Sequence, residues 1–323
     1  MIRPFDLRDV SLVSQIEHQG TPLFAELALT QQPRPLHVAL AGFFSLNTQG
    51  ARSYVLRAGD EAEKLSGLIQ VRDRDDRKYA IVTYVAPALP THHHTAEIWG
   101  RLLDYVAAQS GQLGVQHIIA EAPEDSPALE ALQRAGYAIY LRQDILRLVR
   151  TRLTIQSEPL LRPCEARDLW GVQQLYLNTA PRLAQLAEGL PRLHPRGAVR
   201  GYVLEDQLEI AAYLQVRRGP EGAWFNVLVQ PRVALTAAAI IEYGLSLLGS
   251  NWNAPIYCGV RRYQEGLRPP LESLGFEAFG ASAVLVKHLV SLIGEPEPGM
   301  VHALESHAKV TAQAAPPQGA LHR

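Results

Sequence analysis

The feature that most limits what this sequence can fold into is a set of short motifs that occurs twice in the same order. The four matched pairs are 2–10 with 161–169, 70–72 with 215–217, 84–87 with 228–231, and 132–137 with 271–276. The spacing between partners falls in one direction, from 159 to 139 residues, as expected if the first copy carries extra residues within 21–50. Ordered repetition of this kind predicts two copies of one α/β arrangement.

Each copy has the periodicity of a mixed α/β unit. The segments 79–86 and 223–229 are apolar at nearly every position, as expected for a central strand covered on both faces, and Pro87 and Pro231 end them. An amphipathic helix follows in each copy, with Trp99 on its apolar face in the first. A further strand, a second helix that ends at a glycine and a returning strand complete the pattern.

At 323 residues the chain is long enough for two domains, each with its own core. We predict an N-terminal domain over 1–152 and a C-terminal domain over 158–293. Residues 294–323 are rich in Pro, Gly, Ala and Gln, and this composition predicts a disordered tail.

Composition excludes several classes of partner. The formal net charge is −1, which gives no reason to expect binding to nucleic acid or to an anionic membrane. No apolar run is long enough to span a bilayer, and the N-terminus lacks the pattern of a secretory signal. The two cysteines, Cys164 and Cys258, could form a disulfide, but two free thiols in a reducing compartment are the preferred interpretation. We therefore expect a cytoplasmic protein.

The opening Ile2-Arg3-Pro4 with Asp9, the Val85-x-Pro87 strand end and the glycine-aromatic return strand resemble the Gcn5-related N-acetyltransferase (GNAT) family. The resemblance covers 1–150 and again about 158–293. It implies an α/β fold with two tandem GNAT-like domains, each a splayed mixed sheet with helices on both faces. It also implies acetyl-CoA or another acyl-CoA as co-substrate, with pantetheine along the fourth strand of a copy where strands four and five part, and no metal.

In this family the CoA pyrophosphate binds at the start of the helix after the fourth strand, where backbone N–H groups and the helix dipole favour an anion. The slots of the family motif hold Pro90, His93 and Thr95 in the first copy. In the second copy they hold Arg232, Leu235 and Ala237, which keep the arginine and the alanine. The second copy is therefore the better candidate. The complete set of candidate cofactor-binding residues is Val229, Arg232, Leu235, Thr236, Ala237, Val85, His93, His94 and Thr95.

The run His92 to His94 allows three interpretations, namely a polar loop, an anion contact and a metal ligand. No second ligand cluster accompanies it, so the loop is preferred.

Two catalytic groups that the family uses are missing from the sequence. The tyrosine that protonates the leaving thiolate is replaced by Leu132 and Leu271. A carboxylate on the fourth strand, which would take a proton from the amine, is replaced by Thr83 and Asn226. The catalytic residues are therefore unassigned.

Two functions follow from the resemblance. One is an N-acyltransferase that moves an acetyl or acyl group from CoA to a small-molecule or peptide amine. The other is a catalytically degenerate tandem GNAT pseudoenzyme that acts as a ligand-binding or assembly module.

Trp224 and Cys258 are interpreted as core residues, Arg261 and Arg262 as a solvated loop at the cleft edge, and 21–50 as a pocket wall of the first copy. The oligomeric state is left open.

Overall fold

The computed structural model describes residues 1–44, 50–58, 65–74, 78–89, 94–149, 160–192 and 198–289. The predicted tail, 294–323, lies outside these ranges. None of the helices in the described part of the chain combines the length and hydrophobicity that crossing a bilayer requires.

The first half contains the following elements in chain order: β1 Ile2–Pro4, α1 Val10–Ile16, β2 Thr21–Pro22, α2 Ala25–Thr30, α3 Pro35–Phe43, β3 Ala51–Ala58, β4 Leu65–Asp73, β5 Tyr79–Ala86, α4 Thr95–Gln112, β6 His117–Pro123, α5 Pro127–Arg134 and β7 Ala138–Leu148.

The second half repeats this order with fewer elements near its start: β8 Arg162–Pro163, α6 Leu169–Thr179, α7 Arg182–Glu188, β9 Val199–Asp206, β10 Glu209–Arg218, β11 Ala223–Val229, α8 Ala237–Leu248, β12 Ile256–Arg261, α9 Arg268–Ser273 and β13 Glu277–His288. Short 3-10 turns precede α1, α6, α8 and α9.

The repeated Arg-Pro opening has a structural role in both halves. Arg3 lies 2.8 Å from buried Asp9, and Arg162 lies 2.7 Å from buried Asp168. Each aspartate also accepts a hydrogen bond from the backbone N–H three residues before it, which completes a capping box at the first helix. The hydrogen bond from Arg162 lowers the pKa of Asp168. The motif therefore fixes the entry into the first helix of each half.

Glycines end the last helix of each half, α5 and α9, as predicted. Gly136 and Gly275 have φ of +82° and +87°, in the left-handed region that favours glycine. The next backbone N–H, from Tyr137 or Phe276, donates to the carbonyl of Leu132 or Leu271. This bond turns the chain sharply into β7 and β13.

The described strands form one continuous sheet in the order β1-β3-β4-β5-β6-β13-β7-β12-β11-β10-β9-β8, with β2 paired to β5. Strand β13 of the second half lies between β6 and β7 of the first half and is antiparallel to both. Strand β7 in turn pairs with β12. The last strand of each half has thus crossed into the other half.

The exchanged strands contribute to each other's cores. Ala283 and Leu285 of β13 belong to the core beneath α4, and Leu146 and Leu148 of β7 belong to the core beneath α8. The stretches that the sequence suggests as two domains, 1–152 and 158–293, fold as one compact unit, Met1–Leu289. The expectation of a separate sheet in each half is replaced by one shared sheet. Local periodicity does not encode which neighbouring strand a segment will pair with.

A local two-fold axis passes through the centre of the sheet. In the β7–β13 ladder, Gln143 faces Ser282, and these two residues occupy equivalent positions in the two repeats. A two-fold rotation about this pair exchanges the two flanking pairs, Arg142 with Ala283 and Asp144 with Ala281. The halves are therefore arranged about this pair of residues.

Candidate functional site

Strands β5 and β6 of the first half, and β11 and β12 of the second half, are each paired over only three residues. Parallel pairing joins Tyr79–Ile81 of β5 to β6, and Ala223–Phe225 of β11 to β12. Beyond Ile81 and Phe225, no described ladder joins β5 to β6 or β11 to β12. The gap that begins there is where the family resemblance places an acyl-CoA.

In the first half, the chain itself occupies this gap. Thr21 pairs with Val85 in the β2–β5 ladder, and Leu23 N–H donates to Thr83 O at 3.0 Å. On the other side, Glu121 N–H donates to Leu23 O at 2.8 Å, and Leu23 is completely buried. The segment 21–23 thus acts as a short inserted strand, and the backbone of Val85 is engaged by protein rather than open to a cofactor.

In the second half, a single side chain caps the equivalent position. Val227 corresponds to Thr83 in the repeat alignment, and its carbonyl accepts a hydrogen bond from Gln264 Nε2 at 2.9 Å. Among the described residues no ladder joins β11 to a segment equivalent to β2. Val229, at the end of β11, is partly buried. A side-chain amide is displaced more readily than an inserted strand, so this gap is the more accessible of the two.

The start of α8 has an irregular geometry. The preceding turn, 231–236, is a 3-10 helix with non-helical dihedrals at Val233, and it contains the predicted residues Arg232, Leu235 and Thr236. Thr236 Oγ1 donates to Val233 O at 2.7 Å, and Ala237 begins the α-helix and is buried. The predicted residues therefore lie together at one end of β11.

Arg232 already has anionic partners. Its guanidinium lies 3.1 Å from a carboxylate oxygen of Glu209 and 3.7 Å from one of Asp206, both on the β9–β10 hairpin. Its side chain is 38% exposed. A phosphate at this helix start would have to compete with these carboxylates for the arginine.

The equivalent residues of the first half are less suited to anion binding. Thr95 opens α4 but is buried, and His94 is exposed with Nδ1 3.8 Å from a carboxylate oxygen of Glu97. His93, together with Pro90, lies outside the described residues. His94 and Thr95 belong to the start of α4, and Arg232, Leu235 and Thr236 to the turn before α8, so the predicted residues form two sets at two different helices.

Several residues that the sequence assigns to the core are buried as predicted. Leu132 and Leu271, at the positions of the family tyrosine, are fully buried, as is Trp99. Both cysteines are free, and burial raises the pKa of the Cys258 thiol to about 12 and that of Cys164 to about 11. Neither thiol is an activated nucleophile.

A cavity of about 550 Å³ lies on the sheet face opposite α8, and residues of both halves line it. Trp224 belongs to this wall as well as to the core. Helix α2 of the first half and the end of α7 of the second half both border the cavity, which has the size of a small-molecule site.

The wall of this cavity includes a buried carboxyl group. Glu121 of β6 accepts hydrogen bonds from Gln143 Nε2 at 2.6 Å, Ser282 Oγ at 2.5 Å and Ala25 N–H at 3.0 Å. Burial raises the pKa of this carboxyl above its ordinary value. Its partners come from β7, β13 and α2, so it joins three elements at the local two-fold axis.

A second polar cluster surrounds Glu188 at the end of α7. Its carboxylate accepts hydrogen bonds from Tyr140 Oη at 2.8 Å and Tyr176 Oη at 3.2 Å, and lies 2.9 Å from the guanidinium of Arg261. The backbone carbonyl of Glu188 accepts a hydrogen bond from Arg74. The prediction of a solvated Arg261 is therefore wrong, because a carboxylate from α7 neutralises it inside the cavity. Arg262 is exposed and pairs with Glu124.

Helix α2 lies over the sheet of the second half rather than that of the first. Ala25 and Leu29 pack against Trp224 and Tyr257, and Glu26 forms an ion pair with Arg217 at 2.5 Å. The sequence predicts 21–50 as a pocket wall of the first copy, whereas its α2 portion packs on the sheet of the second half and lines the cavity that both halves share. In return, α7 of the second half contacts β6 and β7 of the first.

Sequence reasoning missed Glu26, Glu121 and Glu188. Only Glu121 carries a local signal, since it is a charged residue in the otherwise apolar strand 117–123. The roles of Glu26 and Glu188 depend on contacts between distant parts of the chain, which no local spacing reveals.

Comparisons with known proteins agree with this architecture. No protein-family model and no curated protein matches the chain. A solved GCN5-related N-acetyltransferase from Sphaerobacter thermophilus matches 90% of this chain and 97% of its own, with 12% identity and a TM-score of 0.51. A tandem GNAT protein from the clavulanic acid biosynthesis pathway matches 89% of this chain and 98% of its own, with 13% identity and a TM-score of 0.53. The chain has the fold of the GNAT acetyltransferases.

Proposed function

We propose that the protein is an N-acyltransferase that holds acyl-CoA in its second half and transfers the acyl group to a small amine bound in the central cavity. The observation that carries this proposal is the difference between the two gaps. The first is filled by the backbone of residues 21–23, whereas the second is capped by the side chain of Gln264 and borders the cavity.

The geometry of the two gaps favours binding of one acyl-CoA molecule per chain, in the second half. Pantetheine binding along a strand requires backbone groups that can exchange their present partners for the ligand. In the second half the Gln264 amide is the side-chain donor that, among the described residues, must leave Val227 O, and such an exchange of one hydrogen bond for another costs little. In the first half a buried leucine and two backbone hydrogen bonds would have to be removed.

The reaction needs no covalent intermediate on the protein. The amine nitrogen attacks the thioester carbonyl directly, and CoA leaves as a thiolate. A thiolate is a stable leaving group, so the carbon–sulfur bond of the thioester can break without a dedicated acid. The replacement of the family tyrosine by Leu132 and Leu271 is therefore compatible with turnover, although it predicts a slower reaction.

A second candidate function is binding without turnover. It is favoured by one observation, the pairing of Arg232 with Glu209 and Asp206 beside a kinked 3-10 turn. A helix start arranged in this way opposes anion binding unless the hairpin gives up the arginine.

Calorimetric titration with acetyl-CoA, followed by an assay of CoA release in the presence of primary amines, tests the proposal. The wild type should bind acetyl-CoA with micromolar affinity, and Arg232→Ala should weaken binding several-fold. Arg134→Ala, which alters an exposed arginine on α5, is the matched control and should leave affinity unchanged. Absence of binding at millimolar acetyl-CoA contradicts the proposal, and binding without CoA release favours the second candidate.

A further inference from the structure

The second-half gap lacks a titratable group on its own strand. Asn226 is the first residue of β11 beyond the last one paired with β12, and an amide does not accept a proton at neutral pH. In the folded chain, however, a carboxylate lies beside it. Glu26 Oε2 is 3.5 Å from Asn226 Nδ2, although the two residues are 200 positions apart in sequence.

Close packing holds α2 in this place. Gly219 and Gly222, in the turn between β10 and β11, lie against the backbone of the last turn of α2, where an added Cβ would come within 1.9 Å of Thr30 O and 2.9 Å of Leu29 O. Glu221 N–H donates to Thr30 O at 3.2 Å. Glycine is thus required for the helix to approach the hairpin this closely.

The first turn of α2 is anchored independently. Ala25 N–H, one of the unpaired donors at the helix start, donates to Glu121 Oε2 at 3.0 Å. With both ends of this short helix fixed, the carboxylate of Glu26 projects from a rigid element, as a reacting group requires.

The two oxygens of Glu26 differ in their surroundings. Oε1 accepts from Arg217 Nε at 2.5 Å, and this ion pair orients the carboxylate. The only hydrogen bond to Oε2 from the described part of the chain is the long one from Asn226. Asn226 is itself held by Trp224 Nε1 at 2.9 Å and by Gln215 Oε1 at 3.2 Å. Oε2 therefore retains room to accept a hydrogen bond from a ligand in the cavity, which Glu26 lines.

We infer that Glu26, supplied by the first half, binds the ammonium group of the acceptor and takes its proton in the second-half site. This inference rests on the proposed function. The substrate R–NH₃⁺ gives one proton to Oε2, and the nitrogen lone pair forms a bond to the thioester carbonyl carbon. The C–S bond breaks, the thiolate takes the second proton lost by nitrogen, and amide and CoA–SH are formed. The proton on Glu26 passes to solvent.

The test compares the full-length wild type with Glu26→Gln, Glu26→Asp and Glu221→Gln. The last changes an exposed carboxylate at the same contact between helix and hairpin, and is the matched control. Acetyl-CoA affinity is measured by calorimetry. CoA release is measured with 5,5′-dithiobis(2-nitrobenzoate) from pH 6 to 9, with ethanolamine, n-butylamine and spermidine as acceptors. The reagent suits this protein because the pKa values of both its thiols are raised.

We expect Glu26→Gln to bind acetyl-CoA within about twofold of wild type and to lose roughly 10²- to 10⁴-fold in kcat/KM for the amine. Because glutamine cannot take a proton from R–NH₃⁺, only amine already deprotonated in solution should react with this variant, so its kcat/KM should rise more steeply from pH 6 to 9 than that of the wild type. Glu26→Asp should retain part of the activity, and Glu221→Gln all of it. Should Glu26→Gln be unstable because Arg217 loses its partner, Glu26→Asp keeps the ion pair and still moves the proton acceptor.

Each outcome has a definite meaning. Amine turnover by Glu26→Gln within about twofold of wild type overturns the role of Glu26 and leaves the proposed function standing. A wild type that binds acetyl-CoA but acetylates none of the amines overturns the transfer reaction together with that role. A wild type that does not bind acetyl-CoA overturns the proposed function at its first step.

Discussion

The contact between Gly219 and the end of α2 makes a quantitative prediction about Gly219→Ala. A Cβ at this position would lie 1.9 Å from Thr30 O and 2.8 Å from Thr30 C, whereas real Cβ contacts are essentially never closer than 3.0 Å. The obstructing atoms are backbone, so the hairpin and α2 must separate by about 1 Å.

The expected loss of stability has two parts. Overpacking of a close contact costs about 1–3 kcal/mol, and the hydrogen bond from Glu221 N–H to Thr30 O, worth about 1 kcal/mol, is stretched or lost. The sum is roughly 2–4 kcal/mol. With an unfolding entropy of about 2.1 cal/mol/K per residue over the unit Met1–Leu289, each kcal/mol lowers Tm by about 1.6 °C. We therefore expect Tm to fall by about 3–7 °C.

Differential scanning calorimetry measures this shift, and Gly100→Ala is the matched control. Gly100 lies within α4 with no heavy atom within 4 Å of an added Cβ, so alanine there should stabilise the protein by about 0.5–1 kcal/mol. The same chemical change is thus expected to have opposite signs at the two positions. A Gly219→Ala protein that melts at or above the wild-type temperature would refute the packing argument.

Gly219→Ala also bears on the role of Glu26. A displacement of about 1 Å at a reacting group can lower turnover by about 10² without changing the binding of a cofactor held elsewhere. Amine turnover should therefore fall while acetyl-CoA affinity stays within about twofold of wild type. Equal losses of both would indicate that the hairpin also supports the cofactor site.

Two further predictions concern the shared sheet and the buried carboxyl group. Fragments 1–152 and 158–323, expressed separately, should each show little cooperative unfolding by calorimetry, because each lacks strand and core residues that the other supplies. Mixing the fragments should restore one transition, and a stable 1–152 fragment with a native-like melt would contradict the exchange of strands. The raised pKa of Glu121 means that the native state keeps the proton to higher pH than the unfolded chain, whose carboxyl ionises near 4.5. The stability of wild type relative to Glu121→Gln should therefore fall as pH rises from about 4.5 through the native pKa, and denaturant titrations in which this difference is constant from pH 4 to 8 would contradict the assignment.

The sequence predicts those parts of the fold that depend on contacts between near neighbours. Asp9 and Asp168 cap helices six residues after their arginine partners, and Gly136 and Gly275 end helices through bonds within one turn. Such features repeat visibly because each needs a fixed residue at a fixed short spacing.

The exchange of β7 and β13 leaves no comparable trace. A strand placed between β6 and β7 needs the same apolar pattern whichever half supplies it, so periodicity cannot distinguish the two arrangements. The candidate site shows the same limit. The ion pair of Glu26 with Arg217 joins residues 191 positions apart, and only the folded sheet brings them together.

The position of β13 has a consequence for the order in which a ribosome can complete this protein. Pro123 of β6 faces Ser282 in the finished ladder, so about 160 further residues must be made before the inner edge of β6 acquires its neighbour. At roughly 5–20 residues per second this interval lasts about 10–30 s, during which the nascent chain presents a strand edge open to aggregation. Since pairing across such long stretches of chain is also intrinsically slow, neither half finishes folding until β13 has been synthesised. The period of greatest vulnerability for this protein is therefore its own translation.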